Sequence, residues 1–140
     1  MKYIWLILAL LLTILIFFMS SRTGASSGSL SGAIAREIIA ICTAAGVSLT
    51  GDVEHTLRKL AHLLEFALLA YFWCKTYSNF GVSVNMSTGY ILFICLFTAV
   101  LDEFVQLHTP GRTCLITDVL LDFSGAFCSW MLYRIYHWRR

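Results

Sequence analysis

The chain has 140 residues, enough for one domain at most. Hydrophobic residues make up 59% of it and charged residues 13%, whereas a soluble domain has about 25% charged residues. This leaves too little polar surface for a soluble globule, and a net charge of +2 without a basic patch argues against a nucleic-acid partner. We therefore predict an all-α membrane protein that forms a single domain over residues 1–140.

Four stretches of the chain are predominantly apolar and approach the length of about 20 residues that a helix needs to span a bilayer. A secretory signal sequence is the competing interpretation of the first stretch, which follows Lys2. Because the rest of the chain is just as membrane-like, we expect that stretch to be retained. The predicted fold is an antiparallel bundle of four transmembrane helices, at about 3–20, 57–74, 89–107 and 115–136.

The segments between these spans are predicted to lie outside the hydrocarbon. Residues 20–31 are rich in serine and glycine, which is typical of a loop. Residues 31–45 repeat apolar side chains at helical spacing, are too short to span, and end before Gly46. We expect them to form one short interfacial helix that lies flat or tucks over the bundle. A polar connection is predicted at 75–87, and a turn at 108–112.

The orientation follows from where the charges lie, because four spans place both termini on one side of the membrane. Lysines and arginines divide five to five between the two sides, so their count alone decides nothing. All eight acidic residues lie on the side away from the termini, where Arg58, Lys59 and Arg112 flank them. We therefore predict a multi-pass protein of the cytoplasmic (inner) membrane with both termini in the cytoplasm.

The ionisable side chains within the predicted spans all fall in the same outer third. At that depth an isolated charge costs at least ~2.5–3.5 kcal/mol, so the carboxylates need partners. We predict that Asp102 and Glu103 pair with cations of the second span or with Arg112, and that a small residue, Gly125, lets helices approach there. The side chains would form a polar cup open to the outer face. Its predicted members are Arg22, Arg58, Lys59, His62, Glu65, Asp102, Glu103, Gln106, Arg112, Asp118 and Asp122.

The residue types in this cup allow more than one role. Arg58, Lys59 and Arg112 suit a phosphate group, since a guanidinium can hold two oxygens at once. His62 and the carboxylates are metal-ligand types, but the pair His62–Glu65 has no second histidine nearby. We expect neither a metal nor a cofactor. Ion pairs that only lock the helices together are the structural alternative, although buried ion pairs stabilise weakly.

Five short motifs occur in a fixed order along the chain. They are Ser20-Ser21-Arg22, Lys59-x-x-His62-x-x-Glu65-Phe66, Asp102-Glu103-x-x-Gln106, Pro110-Gly111-Arg112 and Asp118-x-x-x-Asp122-x-x-Gly125. In this ordered set the chain resembles the VanZ-like family of small bacterial membrane proteins. Two positions depart from the family's usual pattern, which often has asparagine at 122 and tyrosine at 66.

The resemblance implies a link to resistance against teicoplanin-type glycopeptide antibiotics or to the physiology of the cell envelope. The leading hypothesis is a binding protein for an anionic lipid-linked or peptidoglycan-precursor headgroup. The alternatives are a membrane hydrolase or transferase that acts on a lipid phosphate through His62, and a structural subunit with an internal ion-pair lock. The expected partners are membrane lipids and a lipid-linked cell-wall precursor or a glycopeptide; neither enzymatic activity nor oligomeric state is predicted.

Overall fold

The computed structural model describes residues 3–44, 46 and 52–138, and within them all side chains except those of 24–31 and 138. The described residues form helices and contain no strand, which confirms the all-α prediction. Five helices follow one another: α1 (Ile4–Ser20), α2 (Gly24–Ala44), α3 (Val53–Asn79), α4 (Val84–Leu107) and α5 (Ile116–Trp138). Helix α3 is central, because each of the other four packs against it.

The segment after α1 is helical where a loop was predicted. Helix α2 begins at Gly24 and has 21 residues, so the prediction of a loop over 20–31 is wrong beyond residue 23. Serine and glycine form helices poorly by themselves, but small residues also allow two helices to approach closely. A Cβ atom on Gly32 would lie 3.2 Å from the carboxylate of Glu54 in α3. Packing against α3 thus outweighs the weak local propensity.

The predicted polar connection at 75–87 is much shorter in the structure. Helix α3 continues to Asn79 and α4 begins at Val84, so only residues 80–83 connect them. The hydroxyl of Ser83 accepts the backbone N–H of Met86 at 3.3 Å and caps α4. Ser87 donates back to the carbonyl of Ser83 at 3.0 Å. Hydroxyl groups that suggested a loop are therefore satisfied by the helix itself.

Contacts at the two ends of the bundle show the direction of each helix. At one end, Trp5 of α1 lies against the last third of α3, and Ser78 of α3 shares a hydrogen bond of 3.0 Å with Tyr133 of α5. At the other end, Thr109 donates to the backbone oxygen of Ser20 at 3.3 Å. Helices α1 and α4 therefore run one way, and α3 and α5 run the other way.

The surface of the bundle is apolar while several polar side chains lie inside. Ile14 and Phe93 are 63% and 65% exposed, whereas Asp102 and Asp122 are 0% and 1% exposed. A water-soluble protein has the reverse distribution. Ionisable groups that face the interior of an apolar bundle are typical of helices surrounded by lipid.

One described helix is clearly long and apolar enough to cross a bilayer. This is α4, with 24 residues. Helix α1 is apolar but has 17 residues, and α3 and α5 each carry several charged residues. Length and composition thus suggest membrane association and mark α4 as a candidate span. That four helices span the membrane stays a prediction.

Helices α3 and α5 approach each other closely at Gly125. A Cβ atom built on Gly125 would overlap the backbone oxygen of Leu63. Only a residue without a side chain fits at this point, as the small-residue pattern predicted. This contact sets the spacing of the two helices just below the charged side chains.

Candidate functional site

Polar side chains from α3, α4 and α5 meet at the end of the bundle where α3 and α5 begin. The ammonium of Lys59 lies 3.2 Å from Oδ1 of Asp118. Nδ1 of His62 lies 3.9 Å from Oδ2 of Asp102 and 3.9 Å from Oδ2 of Asp122. The charged stretches of three helices, far apart in the sequence, are therefore neighbours in the fold.

Asp102 and Glu103 are buried, but the lysine or arginine partners predicted for them are wrong, and His62 of α3 is the basic side chain that lies near Asp102. Among the described residues, no lysine or arginine forms an ion pair with either carboxylate. Glu103 instead accepts the backbone N–H of Leu115 at 2.9 Å, just before α5 begins. A carboxylate is favoured there by the helix dipole. Asp102 accepts a hydrogen bond of 2.8 Å from the side chain of Gln106, one turn further along α4.

Arg112 contacts α1, whereas the sequence suggested that it folds over the carboxylates or points outward. Its Nη2 donates to the backbone oxygen of Met19 at 3.2 Å, and its Nε donates to that of Arg22 at 3.4 Å. These carbonyls lie at the C-terminal end of α1, which favours a cation. Partial burial and then the charge of Arg58 lower the pKa of Arg112. The side chain of Arg22 is exposed, and only its backbone oxygen contacts the site, where it accepts the hydrogen bond from Arg112.

A cavity of about 450 Å³ opens among α1, α2 and α3 beside these charges, and we call it the groove. Arg58, Arg112, His62 and Glu65 line its polar part. The remaining wall is apolar, and its large aliphatic side chains are Ile34, Leu57, Leu60 and Leu64. A larger cavity of about 720 Å³ lies along α3 and α5 and contains no residue of the predicted polar cup. The groove therefore brings apolar side chains and charged residues of the site together in one cavity.

A second, much smaller cavity of about 40 Å³ lies on the α4 and α5 side of His62. Lys59, Asp118 and Asp122 line it, together with Arg58 and His62. The last two residues line both cavities, so they form the wall between them. The remaining residues of the small cavity are His55, Glu103, Gln106 and Leu121.

Several buried polar atoms at the site have no hydrogen-bond partner among the described residues. They include both carboxylate oxygens of Asp122. Oδ1 of Asp102 and the hydroxyl of Ser20 are also too far from any partner for a regular hydrogen bond, but these two side chains adjoin and interact with each other. Buried polar groups nearly always have partners, so these atoms call for an explanation.

Sequence reasoning missed the parts of the site that are backbone atoms. The N–H of Leu115 and the carbonyls of Met19 and Arg22 complete it, and no side-chain pattern marks them. It also missed His55, which stands one helical turn before the motif that begins at Lys59. An exposed histidine near the start of a helix gives no signal by itself.

Comparison with known proteins identifies the family of this chain. The model of the family described as VanZ/LLP1 matches residues 5–137, nearly the whole chain. No curated protein and no solved structure matches the chain. The family match extends from the start of α1 to the end of α5, so it includes every helix that contributes to the site. The resemblance inferred from the ordered motifs is confirmed.

Proposed function

The chain belongs to the VanZ/LLP1 family, and from this premise we propose that it binds an anionic, lipid-linked headgroup at the cell envelope. The observation that carries the proposal is the groove, in which two guanidinium groups adjoin an aliphatic wall. A lipid phosphate has the same two parts, a charged oxygen-rich head and a hydrocarbon chain. The volume of about 450 Å³ lies within the range of about 300–1,000 Å³ for small-molecule sites.

The polar part of the groove suits phosphate oxygens. Arg58 and Arg112 both line it, and arginine binds phosphate through paired N–H donors. The contacts of Arg112 with α1 use two of its five N–H groups. The hydrocarbon chain would lie against Ile34 and Leu60, on the open side between α2 and α3. In the cell, such a ligand would be a lipid-linked cell-wall precursor, and binding it would alter susceptibility to teicoplanin-type glycopeptides.

We place α1, α3, α4 and α5 across the cytoplasmic membrane, with α2 lying over the end that carries the polar cup. The exposed apolar surface and the alternating directions of these four helices support the arrangement. Both termini would lie in the cytoplasm, and the turn between α4 and α5 would lie outside.

Cysteine labelling in intact cells tests this orientation. In a chain whose native cysteines are replaced by alanine, we expect Thr113→Cys to react with a membrane-impermeant maleimide. Thr113 is exposed in the turn, whereas the neighbouring Thr109 is only 8% exposed and would label poorly. Asn79→Cys, exposed at the opposite end, should react only after the cells are permeabilised. The reverse pattern would show that the termini lie outside.

The binding proposal is tested with purified protein in nanodiscs and two probes, a polyprenyl phosphate and the matching neutral polyprenol. We expect the phosphate to bind much more tightly than the alcohol. Arg58→Gln should weaken binding of the phosphate about tenfold, because a hydrogen bond to a charged group contributes about 1.5–3 kcal/mol. Lys75→Gln removes a cation from the opposite end of the same helix and should have no effect.

Equal affinity for the two probes, or an equal loss in the Lys75→Gln control, would contradict a headgroup site at Arg58. Competition by inorganic phosphate shows whether the lipid chain is needed. If inorganic phosphate displaces the lipid at comparable concentration, the ligand is a free anion and the aliphatic wall plays no part.

One observation favours a second candidate function, a membrane hydrolase or transferase that acts on a lipid phosphate. His62 lines the groove and has two buried carboxylates at 3.9 Å, as a general base oriented by acidic groups would. Release of inorganic phosphate from the same polyprenyl phosphate, lost in His62→Gln, would establish it. Binding without release would favour the binding protein.

A further inference from the structure

We propose that His62, Asp102 and Asp122 form a binding site for a divalent metal ion, which lies between α3, α4 and α5. We call these residues the triad. The inference goes beyond headgroup binding, because it requires no lipid. It rests on the positions of the ligand atoms, on buried oxygens without partners and on the local charge.

The ligand atoms of the triad surround a point that is within a few tenths of an ångström of bonding distance from all three. One nitrogen or oxygen from each residue lies within 4.8 Å of the other two, and two of the separations are 3.9 Å. The centre of such a triangle is no more than about 2.5 Å from each atom, and metal–ligand bonds are about 2.0–2.6 Å long. Movements of a few tenths of an ångström would complete the coordination.

Asp122 gives independent support, because its carboxylate is buried and unpartnered. Its residue surface is 1% exposed, and neither oxygen has a hydrogen-bond partner among the described residues. Asp102 has polar neighbours of its own, since Gln106 donates to its Oδ2 at 2.8 Å and the hydroxyl of Ser20 adjoins it. A metal ion would satisfy the carboxylate of Asp122, whose Oδ2 lies 3.9 Å from Nδ1 of His62.

The charge around the triad also matches a divalent cation. When both are ionised, the two carboxylates of the triad carry a charge of −2, and the described lysines and arginines form no ion pair with them. Lys59, the nearest candidate along α3, is paired with Asp118. Burying two negative charges without a counter-ion is very unfavourable. One divalent ion balances them fully.

The ligand set and its surroundings indicate the kind of ion. One imidazole nitrogen with two carboxylate oxygens suits Mn²⁺ or Zn²⁺, while an all-oxygen site would suit Mg²⁺ or Ca²⁺. Three protein ligands leave coordination positions for water, and the small cavity of about 40 Å³ next to His62 and Asp122 has room for one water molecule. Gln106 donates to Asp102 at 2.8 Å and would fix the orientation of that ligand.

The site is tested by metal binding to the full-length protein in nanodiscs. After treatment with a chelator and its removal, Mn²⁺ is titrated and followed by electron paramagnetic resonance, and Zn²⁺ by calorimetry. We expect one ion per chain. Asp122→Asn should weaken binding at least tenfold, because loss of even an outer-sphere partner typically costs about 10–100-fold. Glu37→Gln also removes one negative charge, from the exposed surface of α2 and outside the triad, and should keep the parent affinity for the ion.

Metal binding to the parent protein tests the proposal even if a variant does not fold. Absence of saturable binding of both ions to the parent would overturn the proposal. Equal affinity of Asp122→Asn and the parent would place the ion elsewhere and would overturn it too. His62→Gln provides a second variant if Asp122→Asn fails to fold, and it should also bind Mn²⁺ at least tenfold more weakly. These measurements involve no lipid, so their outcome is separate from that of the headgroup experiment.

Discussion

Gly125→Ala is expected to destabilise the protein strongly, by about 3 kcal/mol or more, the upper end of what overpacking costs. The new methyl group would occupy the position of the Leu63 backbone oxygen. A backbone atom within a helix cannot rotate aside as a side chain can, so α3 and α5 would have to separate. Their separation would also pull apart Lys59 and Asp118, which lie near the start of the same two helices.

Gly89→Ala is the matched control for this prediction. Gly89 lies within α4, and a Cβ atom there would meet nothing within 4 Å. Since alanine is a better helix former by about 1 kcal/mol, this change should be neutral or slightly stabilising. Thermal unfolding in detergent, followed by circular dichroism, distinguishes the two variants. Similar unfolding temperatures would show that α3 and α5 are not in close backbone contact.

The sequence was sufficient to predict an all-helical fold and the approach of the charged stretches of α3, α4 and α5, but not the bounds of every helix. Apolar runs mark α1 and α4, and the charged ends of α3 and α5 are visible as interruptions of such runs. Because successive predicted spans run in opposite directions, Lys59 and His62 must lie at the same depth in the membrane as Asp102 and Asp118. That inference uses only the rise of a helix and the cost of a charge in lipid.

The partners of the charged groups could not be predicted, because several of them are backbone atoms. Glu103 accepts the N–H of Leu115, and Arg112 donates to carbonyls of α1. Every residue has such groups, so the sequence does not distinguish one from another. Helix α2 was missed in part for a related reason, since serine and glycine indicate a loop and a close helix contact equally well.

The proposed metal site was hidden for another reason. Metal motifs are recognised when two ligands stand at a fixed spacing on one element. Here His62, Asp102 and Asp122 come from three helices, one ligand each. The sequence did show a possible ligand pair on one helix, His62 and Glu65. Glu65 is not part of the proposed metal site, because it lines the groove and not the small cavity.

Arg112→Lys is expected to leave the protein inserted in the membrane and to weaken binding of polyprenyl phosphate by roughly 10–100-fold. The guanidinium donates to two carbonyls of α1 and also lines the groove. A lysine keeps the charge that topology requires, but a single ammonium cannot hold both carbonyls and a phosphate group. The change would therefore loosen the α1 wall of the groove and remove a headgroup contact at the same time.

Arg36→Lys is the control, because Arg36 is exposed on α2 and does not line the groove. Both variants are compared with the parent at equal membrane levels, first for binding of polyprenyl phosphate in nanodiscs and then for glycopeptide susceptibility in cells. If Arg112 only aids topology, lysine will serve equally well and both variants will behave as the parent. If Arg112 contacts both α1 and the bound headgroup, only Arg112→Lys will bind polyprenyl phosphate more weakly than the parent. Equal affinity of Arg112→Lys and the parent would remove Arg112 from the binding site and leave Arg58 as its principal cation.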